Sequence, residues 1–184
     1  MESVTDLNRC STEIIESDMG LSLNRRHFNA ATCALTLATA LDARAKPPGP
    51  ILVVGDSLSA EYGLKRGSGW VALLQQRLSQ QRPGARVVNA SVSGDTTSGG
   101  RSRLPALLSQ HRPQVVIIEL GGNDALRGLP LNMTEDNLRA MVQAGKQAGA
   151  RVLLLGMQMP PNYGAKYSAD FAALYSRVAK DSQS

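Results

Sequence analysis

Histidine is nearly missing from this chain: its 184 residues hold two, His27 and His111. Cysteine is as scarce, with Cys10 and Cys33 alone. These shortages argue against a metal centre built from imidazole and thiolate ligands. Asp95 and Asp124 do not replace one, because no His or Cys joins them and their spacing is not that of a calcium loop. Metal is therefore not expected. Aromatic residues make up only 4% of the chain and no basic stripe is visible, so a nucleic-acid module is not expected either. No G-x-G-x-x-G or Walker pattern follows the first strand-like run, which argues against nucleotide binding. No apolar run has the length of a stable membrane span.

The first 45 residues read differently from the rest. Asn24-Arg25-Arg26-His27-Phe28 supplies a charged start, Ala30 to Leu41 an apolar stretch, and Ala43-Arg44-Ala45 a small-x-small cleavage site. That order is expected of an export signal, and the paired arginines resemble the twin-arginine type. A short amphipathic or buried helix is the alternative. Residues 1–18 carry no such pattern, and Met19 is a second candidate start. Cleavage after Ala45 would leave residues 46–184 as one periplasmic or secreted domain. That part carries 16 Lys and Arg against 9 Asp and Glu, and no cysteine, so it has neither disulfide nor thiol nucleophile. Its positive charges are scattered, as on a solvated surface, although anionic polymers and headgroups would also suit them.

Within 46–184, strand and helix signals alternate. Short apolar or β-branched runs lie at Ile51–Val54, Arg86–Asn89, Val115–Leu120 and Arg151–Leu155. Helical patterns lie at about Gly69–Gln80, Ser98–His111, Glu135–Ala148 and Ser168–Lys180. Alternation of this kind predicts right-handed crossovers and a parallel sheet covered by helices. The expected fold is α/β, three-layered and flavodoxin-like, with strand order 2-1-3-4-(5). The fifth strand and last helix usual in that fold are expected to be missing, because the chain stops just after the fourth helical pattern.

Two of the runs end in small polar tips. Gly55-Asp56-Ser57-Leu58-Ser59 follows the first, and Gly121-Gly122-Asn123-Asp124 follows the third. Ligands of open α/β sheets bind beyond the carboxyl ends of the strands, where the loops of neighbouring strands 1 and 3 diverge. Ser57 and Asn123 would then share one crevice, a hydroxyl nucleophile beside an amide donor. Gly94, in Ser91-Val92-Ser93-Gly94-Asp95-Thr96-Thr97, would add an unshielded backbone N–H. Each residue also has a plain reading. Ser57 could cap a helix or shape a turn, Asn123 could be a turn residue after two glycines, and Gly94 could be a hinge with positive φ.

These three blocks, taken in order, resemble those of the SGNH (GDSL) hydrolases. The similarity is to the bacterial periplasmic thioesterase, lysophospholipase and arylesterase group, and it extends through Met157-Gln158-Met159-Pro160-Pro161-Asn162-Tyr163-Gly164. The resemblance implies a cofactor-free serine hydrolase acting on small acyl esters or thioesters, lysophospholipids among them. Ser57 would be the nucleophile. Gly94, Asn123 and the Ser57 N–H would form the oxyanion hole, and Asp56 and Asp124 would be structural. Leu126, Leu129, Met157 and Met159, on loops after the third and fourth strands, would contact an apolar chain, although core packing explains the methionines as well. The family's base is a His three residues after an Asp. Asp181-Ser182-Gln183-Ser184 repeats the spacing but ends in Ser. His111 precedes a strand about 20 Å long whose far end carries Asn123, so it falls at the wrong end of the sheet. The catalytic Asp and His are thus expected to be absent, and an impaired member that at most binds acyl ligands is the alternative function.

Overall fold

The computed structural model describes residues 49–184. The export signal, His27, Cys10, Cys33 and the domain boundary after Ala45 lie outside the described residues. Four strands form one parallel sheet: β1 (Ile51–Gly55), β2 (Val87–Asn89), β3 (Val115–Glu119) and β4 (Arg151–Leu154). Their order is β2-β1-β3-β4, with Leu52 opposite Val116 and Val116 opposite Val152. The expected order and parallel pairing are what the structure has.

Strand runs as apolar as Leu-Val-Val and Val-Ile-Ile need cover on both faces, which parallel sheets obtain from their crossover helices. Here the helices are α1 (Trp70–Gln81), α2 (Thr97–His111), the short α3 (Gly122–Leu126), α4 (Leu131–Gln147) and α5 (Ala165–Ser182). Side chains alternate between faces along each strand. Leu52, Val54, Val116, Ile118 and Val152 therefore meet Leu104 and Leu108 of α2, Leu138, Met141 and Val142 of α4, and Phe171, Leu174 and Val178 of α5. Val53 and Ile117 face the other way, toward Trp70, Val71 and Leu74 of α1. Three layers result, one helical layer much heavier than the other.

Two departures from the sequence expectation bear on the site. The stretch after Asn123 was expected to be loop, yet Gly122–Leu126 closes a helical turn with Ala125 N–H donating to Gly121 O. Helix α4 begins at Leu131 rather than near Glu135, because Pro130 ends the loop at φ −59° and its carbonyl accepts the Thr134 N–H.

Candidate active site

The turn after β1 is held by one carboxylate. Asp56 is 3% exposed; its Oδ1 accepts the Leu58 N–H at 3.0 Å, and its backbone carbonyl accepts the N–H groups of Ser59 and Ala60. Ser57 lies on this turn, half-buried, and heads no helix. Burial raises the Asp56 carboxyl above the usual range, the bond from Leu58 lowers it, and the nearby Asp95 raises it again.

The loop after β3 reaches the same carboxylate. Asn123 Nδ2 donates to Asp56 Oδ2 at 3.1 Å and to the Asp95 carbonyl at 2.9 Å. Ser57, the Gly94–Asp95 loop and Asn123 are thereby brought to one place at the carboxyl edge of the sheet. Gly94 has φ +79°, a conformation in which any side chain is strained, and its carbonyl accepts from Arg127 Nη2 at 2.8 Å. Both amide hydrogens of Asn123 are engaged within the protein, so stabilising an oxyanion requires exchanging one of these bonds for the ligand.

Arg103 of α2 ties the edge together. Its Nε donates to Asp95 Oδ2 at 2.8 Å, Nη1 to the Ala90 carbonyl, and Nη2 to the Gly55 carbonyl at 3.4 Å. Asp124 does structural work: its buried carboxylate accepts from the Thr97 N–H at 2.9 Å and the Thr97 hydroxyl at the start of α2, where a negative charge suits the helix end. His111 is the last residue of α2 and precedes β3, at the edge of the sheet opposite Asn123.

A cavity of about 580 Å³ adjoins the turn. Leu126, Met157 and Met159 line it, together with Leu58, Trp70 and Leu155. Leu129 does not line it. A smaller hollow of about 230 Å³ is formed by Ser57, Leu58, Tyr62 and Leu64, so Leu58 belongs to both.

The sequence reading missed Glu119. It is the last residue of β3, 5% exposed, and part of the cavity wall. Its Oε2 accepts from the Ser59 hydroxyl at 2.6 Å, and Ser59 Oγ accepts from Trp70 Nε1 at 3.1 Å. Desolvation drives the carboxyl up to about 7 against the lowering effect of the Ser59 bond. Gly55 makes the arrangement possible: a Cβ there would lie 2.7 Å from both Ser59 Oγ and Glu119 Oε2. Ser59 looks like a nucleophile beside a base, but at 1% exposure no substrate reaches it. The available signal was a lone acid inside an otherwise apolar strand.

Among the described residues no cluster of three or more His, Cys, Asp or Glu side chains could hold a metal ion, and no helix is long and apolar enough to cross a membrane.

Comparison with known proteins agrees with this geometry. The model of the GDSL-like Lipase/Acylhydrolase family matches residues 53–184. The chain is similar to Esterase TesA of Pseudomonas aeruginosa, 55% identical over 129 residues, covering 70% of this chain and 64% of the relative. It is also similar to Thioesterase 1/protease 1/lysophospholipase L1 of Escherichia coli K12, 46% identical over 138 residues, covering 75% of this chain and 65% of the relative. The chain thus spans about two thirds of the length of these curated relatives. The crystal structure of TesA superposes with a TM-score of 0.72 at 52% identity, covering 73% of this chain and 75% of that one. With the matching model covering well over half of its residues, the chain belongs to the GDSL-like lipase/acylhydrolase, or SGNH hydrolase, family.

Proposed function

We propose that the site is that of a serine hydrolase for small acyl esters and thioesters, in which Ser57 attacks the carbonyl, an acyl-enzyme forms, and water releases it. The convergence of Ser57, the Gly94 loop and Asn123 on Asp56 carries this reading. It places a hydroxyl near an amide whose hydrogens, now held by Asp56 and Asp95, would turn to the carbonyl oxygen as charge develops there. The apolar cavity beside Leu58 would take the acyl or alcohol chain. The names of the relatives, esterase and thioesterase/lysophospholipase, support that substrate class. No cofactor is required.

Ser57 needs a proton acceptor. None of the described residues places an imidazole near it, and His111 lies across the sheet. A triad without its base keeps roughly 10³–10⁴ over the uncatalysed rate through oxyanion hole and binding. This observation favours a second reading, a binder of acyl ligands with little turnover.

Hydrolysis of a short p-nitrophenyl ester by the chain alone, and by the chain extended with a strand and a loop bearing Asp-x-x-His, decides between the two. The extended protein should gain a rate that Ser57→Ala abolishes and Asn123→Ala lowers by about 10²–10³. Failure of the extension to gain a Ser57-dependent rate overturns the hydrolase reading.

We also propose that residues 1–45 direct export to the periplasm, on the strength of Arg25-Arg26, the apolar run to Leu41 and Ala43-Arg44-Ala45. N-terminal sequencing of exported protein should find Lys46 first. An uncleaved apolar run would overturn this.

A further inference from the structure

The four most exposed large hydrophobic side chains among the described residues are Tyr62, Leu58, Leu126 and Leu64, from 77% down to 55% exposed. They are not scattered. Leu58 and Leu126 line the larger cavity, and Leu58, Tyr62 and Leu64 line the smaller hollow with Ser57. Leu58 is common to both, so the four side chains form one apolar rim beside the turn that carries Ser57. Apolar side chains gathered in the open at one place mark a surface that a partner covers.

The rim is held out by its own backbone. Glu61 has φ +60°, a left-handed conformation that is strained for a residue with a side chain. Its carboxylate accepts the Gly67 N–H at 3.0 Å and the Gly69 N–H at 2.9 Å. These bonds close residues 61–69 into a loop that presents Tyr62, Leu64, Lys65 and Arg66 to solvent. A loop ordered beforehand loses little freedom when it binds.

The charge exposed beside the rim is mostly of one sign. Lys65 and Arg66 follow Leu64, Arg127 follows Leu126, and all three are exposed. No ion pair among the described residues includes them. Against them stands one acid on the same loop, Glu61, whose oxygens are taken by Gly67 and Gly69. Asp95 is paired with Arg103, while Asp56 and Asp124 are buried. Residues 155–160, on the far wall of the larger cavity, carry no charge.

We propose that this rim docks the protein on an anionic phospholipid surface. Leu58, Tyr62, Leu64 and Leu126 enter the boundary between headgroups and acyl chains, and Lys65, Arg66 and Arg127 meet the phosphates. The hollow of Ser57 then opens toward the lipid. Charge separates this occupant from a second copy of the chain, whose two-fold contact would press the same cations together. The inference goes beyond the ester-hydrolase reading, because docking requires no turnover.

The test uses the full chain with Ser57→Ala, sedimented with vesicles of phosphatidylcholine alone or mixed equally with phosphatidylglycerol. Binding to the mixed vesicles should be at least about tenfold tighter and should weaken as salt is raised. Tyr62→Ser and Leu64→Ser should each lower it about tenfold. Lys65→Gln with Arg66→Gln should lower it about 25-fold, or about fivefold for each charge. Arg82→Gln with Arg86→Gln removes the same charge ahead of β2, at the opposite edge of the sheet, and should change it little. Residues 1–45 are common to all these proteins, so the differences report on the rim. In Tyr62→Trp, emission beyond that of Trp70, the sole tryptophan of the parent chain, should shift to the blue on mixed vesicles and be quenched by lipids brominated in their acyl chains. Equal losses from the two double variants, or no shift in Tyr62→Trp, overturn the proposal. Dimerisation without lipid that Tyr62→Ser abolishes also overturns it, making the rim a contact between copies. If a serine variant fails to fold, the two double variants and Tyr62→Trp still decide. Failure to bind vesicles leaves the hydrolase reading standing, and failure of Ser57-dependent turnover leaves the docking result standing.

Discussion

The two faces of the sheet are made by the same strands and are packed to opposite standards. On the face toward α2, α4 and α5, seventeen buried residues form one continuous core, from Leu52 of β1 to Val178 of α5. On the face toward α1 the buried hydrophobic cluster holds Val53, Val71 and Ile117, and Leu153 of β4 is 48% exposed. The alternation of side chains along a strand makes this a matter of parity. In β3, Val116 and Ile118 go to the full face; Ile117 and Glu119 go to the thin one. Trp70 and Glu119 belong to the thin side, and the cavity lies between the two faces, with Leu155 packed on the thin core and Met157 and Met159 on the full one. A face packed to native density leaves no room for a ligand, so the cavity lies where packing is incomplete.

Substitutions on each face test that comparison. Phe171 is fully buried and meets Tyr175 edge-on, with ring centroids 5.4 Å apart. Phe171→Ala should cost about 3–5 kcal/mol in denaturant unfolding. The next effect belongs to the thin face and is read by pH. Glu119 titrates near 7 in the folded chain, against an ordinary value of 4.5. Between those values the native state holds the extra proton, so stability falls as pH rises from about 4.5 to about 7 and is level above. The loss should be of order 3 kcal/mol at most, and Glu119→Gln should flatten the curve over that window. Ile117→Val should cost about 0.5–1.5 kcal/mol. Leu153→Ala should change stability by less than about 0.5 kcal/mol. If Leu153→Ala costs as much as Phe171→Ala, the two faces are not energetically distinct and the comparison fails.

What the sequence disclosed follows the same division. The strands of the sheet were legible because Val53-Val54 and Val115 to Ile118 are apolar without interruption, as strands buried on both faces must be. The turn at Asp56 and the meeting of Ser57 with Asn123 followed from strand order, since β1 and β3 are neighbours. Helix α3 was not legible. Gly122 and Asn123 are poor helix formers, and the turn is held by the Asp124 carboxylate against Thr97, 27 residues away in sequence. Glu119 was hidden because its partner Ser59, and Trp70, which donates to Ser59, come from distant stretches of the chain. Leu126 lines the cavity from α3, a turn the sequence did not announce, and Leu129 beyond that turn does not.

The guanidinium of Arg103 is one rigid planar fork, and its acceptors are Gly55 at the end of β1 and Ala90 and Asp95 near the two ends of the loop after β2. Thermal fluctuations at these three places are therefore not independent. Prying away any one acceptor loosens the hold on the other two, so the edge that carries Ser57, Gly94 and Asn123 breathes as a single cooperative unit. Its amides should exchange with solvent at a shared rate, set by the release of one side chain.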